Sequence, residues 1–90
     1  MLTIYPSTRF SRSFKRVPHH IKTDFKRKID VFKKHPFHVS LHTHKLKGNL
    51  AHYHAFYLCD GFRVLFELME FEDVILVNIG SHGDYNKWSR

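Results

Sequence analysis

One cysteine, Cys59, is too few for a disulfide framework within the chain, and a lone thiol fits a reducing compartment. No apolar run approaches the ~20 residues that a membrane helix needs. The opening Met1-Leu2-Thr3-Ile4-Tyr5-Pro6 lacks the charged-then-apolar layout of a secretory signal, so a soluble, cytoplasmic protein is expected. With four glycines and three prolines there is no low-complexity linker, and no segment repeats. Ninety residues make one domain, 1–90, since chains this short rarely divide into two cores. Large apolar side chains are plentiful, with nine Phe, four Tyr and one Trp, so a single core is feasible without staples.

Acids are also scarce, and unevenly so. Residues 1–47 hold twelve of the fifteen Lys/Arg and only Asp24 and Asp30 against them, a net of +10. Residues 48–90 hold three Lys/Arg and six acids, a net of −3. A half this basic attracts polyanions through counterion release, or pairs with an acidic protein; charge alone does not choose between them.

Leu2 to Tyr5 reads as a short first strand ended by Pro6. Ser7 is a good N-cap, and Phe10, Phe14 and Val17 then recur at helical spacing. Pro18 ends that helix and opens a second, with Ile21, Phe25, Ile29 and Phe32 in one apolar stripe and Lys or Arg on its other faces; Pro36 stops it. Residues 37–43 show no period and read as a loop. Residues 51–59 and 62–69 are apolar runs joined by Asp60-Gly61, the signature of a two-residue type I′ hairpin. Taken literally, that turn sets Tyr57 opposite Val64, Ala55 opposite Phe66 and His54 opposite Glu67. Tyr53, Ala55, Tyr57, Val64 and Phe66 then face the helices, and His52, His54, Phe56, Arg63 and Leu65 face the open side. Val74 to Ile79 is a continuous apolar run suited to an interior strand, followed by a polar tail. The order β-α-α-β-β-β predicts an α+β domain: a helical hairpin on one face of a mainly antiparallel four-stranded sheet.

His44-Lys45-Leu46-Lys47-Gly48, Arg63 and Gly80-Ser81-His82-Gly83-Asp84-Tyr85 place imidazoles, a guanidinium and a phenol at the outlet of that sheet. A metal is not expected. His19, His20, His35, His38 and His42 fit no zinc spacing, and Cys59 has no partner cysteine.

With these pieces in order, the chain resembles the RelE/ParE toxin superfamily of toxin–antitoxin pairs over essentially its whole length. The basic helical hairpin, the His35-Pro36 stop, Leu46-Lys47-Gly48-Asn49-Leu50, Tyr53, Gly61-Phe62-Arg63-Val64 and Ile79-Gly80-Ser81-His82 carry the resemblance. The histidines make it more similar to the YafQ, YoeB and HigB type of ribosome-dependent mRNA endonuclease than to the gyrase-poisoning ParE type. What the resemblance implies is a RelE-like fold, a cognate antitoxin, mRNA in the ribosomal A site as substrate, and no cofactor. Catalytic residues would be His44, Arg63, His82 and Tyr85, with Lys45, Lys47 and His54 toward RNA. His44 is the candidate base and His82 the candidate acid, roles that could be exchanged. Phe56 stands where RelE has its second strand lysine, so that lysine chemistry does not transfer. A ParE-type toxin that binds gyrase and a catalytically inactive antitoxin-binding relative are the alternatives. Trp88 is expected to cap the core.

Overall fold

Ser7 begins the first helix in the manner its position suggests. Its Oγ accepts from the Phe10 amide at 3.0 Å and donates to the Val77 carbonyl at 2.9 Å, so one hydroxyl both caps the helix and ties it to the sheet. In this computed structural model, which describes residues 1–88, the chain runs β1 (Thr3–Pro6), α1 (Thr8–Arg16), α2 (His19–Lys34), β2 (His44–Lys45), β3 (His54–Tyr57), β4 (Arg63–Leu68), β5 (Asp73–Gly80) and α3 (His82–Trp88). Pro18 caps α2 and Pro36 follows its end, as expected. Short 3₁₀ turns lie at Val39–Leu41, Gly48–Leu50 and Cys59–Gly61.

The fold class is as predicted, with a fuller sheet. Five strands lie in the order β1-β5-β4-β3-β2. All pairs are antiparallel except β1 with β5, which is parallel because the helical hairpin carries the chain across between them. The apolar run at 74–79 does occupy an interior strand.

The helical stripes pack as their spacing dictates. Phe10, Val17, Ile21 and Phe32 are buried, with Phe14, Phe25 and Ile29 beside them. Phe32 stacks on Phe56 at 4.7 Å and meets Phe66 edge-on at 4.8 Å. Burial of each such ring contributes about 1.5–3 kcal/mol.

The hairpin register is one residue away from expectation. The Asp60-Gly61 turn forms with both residues at positive φ, 55° and 75°. However, the Leu58 amide donates to Phe62 O at 2.8 Å, and the Phe62 amide donates to Cys59 O at 3.2 Å, so two residues of the first strand oppose one of the second. This bulge has a cause in α2. The buried carboxylate of Asp24 accepts from the Cys59 amide at 2.8 Å and pulls Cys59 out of the ladder. Burial alone would raise the pKa of Asp24, but the Cys59 amide, Arg27 and Lys28 together hold it below the usual value. The extra residue pairs Tyr57 with Arg63, Phe56 with Val64, Ala55 with Leu65 and His54 with Phe66. A one-residue slip turns every side chain of β3 over. Phe56 and Leu58 therefore join the helix-side core, while Tyr53, Ala55 and Tyr57 move to the other face.

That other face is also partly covered. Leu46 and Leu50 fold over Ala55 and Leu65, with Tyr53, Val77, Tyr85 and Trp88 packed against them. Residues 51–53 belong to this cover and not to a strand, and the segment expected as a polar tail is α3.

Candidate functional site

Ser81 and Asp84 build the helix that carries two of the site residues. The Ser81 amide and Oγ both donate to Asp84 Oδ2, at 3.0 and 3.1 Å, and Ser81 Oγ accepts from the Asp84 amide at 3.3 Å. This reciprocal cap starts α3 directly after β5. The helix lies close to the sheet because residue 80 is glycine. A Cβ there would stand 2.7 Å from that of Asp84 and 2.9 Å from the Trp88 ring.

Arg63, at the start of β4, is only 8% exposed. Its guanidinium lies 4.7 Å from the centre of the Tyr57 ring and 4.6 Å from that of Tyr85. Two phenol faces from different elements thus clamp one planar cation, which suits a weakly hydrated guanidinium and fixes its plane. Nη2 donates to Gly61 O at 3.4 Å and to His82 Nδ1 at 3.1 Å. Nε is buried and has no hydrogen-bond partner among the described residues. A buried cationic donor without an acceptor is costly, and an anionic oxygen would satisfy it.

The hydrogen bonds also fix two ring tautomers. An arginine N–H can only donate, so His82 Nδ1 accepts and the proton of the neutral ring sits on the exposed side, at Nε2. His44, in edge strand β2, does the reverse. Its Nδ1 donates to the His42 carbonyl at 3.1 Å, leaving Nε2 with the lone pair. His44 pairs with Ala55, and its ring centre lies 5.3 Å from that of Tyr57. The site is therefore continuous from His44 through Tyr57 and Arg63 to His82 and Tyr85.

Of the residues singled out in the sequence, Arg63, His82 and Tyr85 are in direct contact, and His44 joins them through Tyr57. His54 lies elsewhere. It pairs with Lys45 and Phe66, so both His54 and Lys45 are on the helix-facing side of the sheet. The His54 ring stacks on Phe66 at 5.6 Å and meets Phe37 at 5.8 Å, with Nδ1 buried and unpaired. Burial, followed by the charges of Lys45 and His44, lowers its pKa. The expected pairing of His54 with Glu67 is absent for the same reason, the slipped register. Lys47 is exposed ahead of Gly48. Trp88 packs against the small cluster, as anticipated.

Tyr57 is the site residue that sequence reading missed, since the unbulged hairpin put it against the helices. Beyond the clamp, a groove of about 770 Å³ runs between α1 and α3, lined by Arg9, Arg12, Arg16 and Lys87 and reaching Ser81 beside His82.

No protein-family model and no curated protein matches the chain. Solved structures do match it. The RelB-RelE antitoxin–toxin complex from Methanococcus jannaschii aligns with a TM-score of 0.76 at 17% identity, covering 96% of this chain and 99% of that one. YafQ from E. coli aligns with a TM-score of 0.70 at 15% identity, covering 94% and 98%. A YoeB/ParE toxin from Agrobacterium tumefaciens aligns with a TM-score of 0.73 at 14% identity, covering 90% and 99%. The fold is thus the one shared by small toxins of toxin–antitoxin pairs. More narrowly, it is the RelE/ParE fold. Among the described residues no helix is long and apolar enough to cross a membrane.

Proposed function

We propose that this protein is the toxin of a type II toxin–antitoxin pair and a metal-independent endoribonuclease that cuts mRNA in the ribosomal A site. The observation that carries this reading is the buried, doubly stacked Arg63 with a free Nε donor, set between histidines whose exposed nitrogens differ in kind. RNA holds its own nucleophile, the 2′-hydroxyl. His44 Nε2 takes its proton, and the oxygen attacks phosphorus. The Arg63 fork stabilises the charge that gathers on the phosphoryl oxygens. When those oxygens take the Arg63 donors, His82 Nδ1 loses its partner and takes a proton from solvent. The resulting imidazolium gives a proton to the departing 5′-oxygen, leaving a 2′,3′-cyclic phosphate and a 5′-hydroxyl.

Tyr57 and Tyr85 hold the guanidinium plane, and Tyr85 also offers a face to a base. The ribosome supplies the in-line alignment of the bound mRNA. The arginine-lined groove is suited to flanking phosphates, or to the acidic segment of an antitoxin that occludes the site. Lys47, which is exposed, contacts RNA in this reading.

Primer extension on mRNA from induced cells tests the proposal. Wild type is expected to leave cuts at A-site codons. Arg63→Ala and His82→Ala should each lose about 10²–10³-fold of the cleavage while circular dichroism stays native. Co-expression with the adjacent open reading frame should silence the wild type and co-purify with it. Intact mRNA together with stalled replication would overturn the proposal in favour of gyrase binding.

A further inference from the structure

Folding places three metal-ligating side chains together at a point that sequence spacing does not reveal. His20 is in the first turn of α2, while Cys59 and Asp60 are in the β3–β4 turn about forty residues later. One ligand atom from each, an imidazole nitrogen, Sγ and a carboxylate oxygen, lies within 4.8 Å of the other two. His20 Nε2 and Asp60 Oδ2 are already 2.7 Å apart.

We infer that His20, Cys59 and Asp60 bind one divalent ion of the zinc type, which clasps the start of α2 to the β3–β4 turn. The donor set decides the class. A thiolate with an imidazole and a carboxylate suits a borderline ion such as zinc or cobalt, and not magnesium or calcium. Tetrahedral bonds of ~2.0–2.3 Å put ligand atoms about 3.3–3.7 Å apart, so closure needs shifts of roughly 1 Å. The side chains that must move are the exposed ones: His20 and Asp60 are 58% and 68% exposed. The backbone beneath them is already fixed, because Asp24 of α2 holds the Cys59 amide. A water completes the fourth position from the open side.

As an exposed ion pair alone, His20 and Asp60 contribute little. The ion is not part of the cleavage chemistry. It steadies the turn whose Gly61 carbonyl accepts from Arg63.

Cobalt(II) titration of the full, tag-free chain tests this, because Cys59 is the sole cysteine among nine histidines. The expected result is a thiolate-to-cobalt charge-transfer band that saturates at one equivalent and is bleached by zinc. Cys59→Ser should abolish the band. His20→Ala and Asp60→Asn should each weaken cobalt binding by at least about tenfold, on the scale of outer-shell losses in known sites. Both alter exposed side chains, and circular dichroism checks that they fold. Cobalt uptake without a thiolate band overturns the inference. So does a band that His20→Ala and Asp60→Asn leave unchanged. Neither result bears on RNA cleavage.

Discussion

The two faces of the sheet are built from different materials. On the helix side, Phe32, Phe56 and Phe66 interlock with Ile21, Leu41, Val74 and Leu76, all almost wholly buried. On the far side the buried set is only Leu46, Leu50, Ala55 and Leu65, and Tyr85, packed against it, shares with Tyr57 the cation of Arg63. The first face holds the domain together. The second uses a thin apolar floor to seat a charged group that water would otherwise hydrate. A stable core on one side permits a costly arrangement on the other.

Substitutions that act on one face only can break this division. Phe66→Ala has the largest expected effect. It removes a fully buried ring in contact with Phe32, Phe56 and His54, and should cost about 3–5 kcal/mol in urea unfolding. A loss under ~1 kcal/mol would mean that the stability does not reside on the helix side.

Gly80→Ala probes the opposite face. The new methyl meets Asp84 and Trp88, so α3 must lift from the sheet, at about 1–3 kcal/mol. Trp88 is the only tryptophan, and its emission should shift to the red while far-ultraviolet dichroism stays close to wild type. An unchanged spectrum would show that α3 is not seated by the close approach at residue 80.

Much of this division is legible in the sequence, and the part that is not has a definite cause. Helical periodicity and three prolines mark the hairpin, Ser7 marks its start, and Asp60-Gly61 marks the turn. Those signals are local, and local chemistry suffices to form them. The bulge is not local. It depends on Asp24, thirty-five residues from Cys59, accepting an amide that the ladder would otherwise use. Missing that bond inverts β3, hides Tyr57 and puts His54 on the wrong face. The helix at 82–88 was readable in principle from Ser81-x-x-Asp84, a cap signature that the polar composition around it obscured. His20 and Asp60 meet only through the fold, so no spacing rule reports them.

His54→Leu sharpens the comparison at the helix-facing side. Its folded pKa is depressed, so the unfolded chain binds the proton more readily. Stability linked to His54 is therefore complete above its unfolded pKa of ~6.5 and is lost as pH falls through the lower folded value. At pH 7 the variant should match wild type to within about 1 kcal/mol, since an unpaired buried nitrogen is exchanged for carbon. From pH 7 to 5 wild type should weaken relative to the variant. A wild type that holds or gains stability relative to the variant over that range would contradict the part-buried placement of His54. RNA cleavage should be unaffected, which separates His54 from the site.

Tyr57→Leu should have the smallest effect on stability and the most specific effect on the site. Leucine keeps apolar contact with the floor but removes one of the two rings that clamp Arg63. A cation–ring contact of this kind contributes about 0.5–2 kcal/mol, and 1.4 kcal/mol is tenfold, so cleavage should fall roughly 2- to 30-fold with little change in the unfolding midpoint. The clamp works through the face of the ring, so Tyr57→Phe should retain most of the activity that Tyr57→Leu loses. The same pair of changes at Tyr85 should behave alike at the other face of the guanidinium, unless the Tyr85 hydroxyl also moves a proton, when Tyr85→Phe alone would drop. Equal losses in Tyr57→Phe and Tyr57→Leu would locate the contribution in the hydroxyl. The clamp would then be an incidental consequence of packing, and the thin face of the sheet would need another reason to bury an arginine.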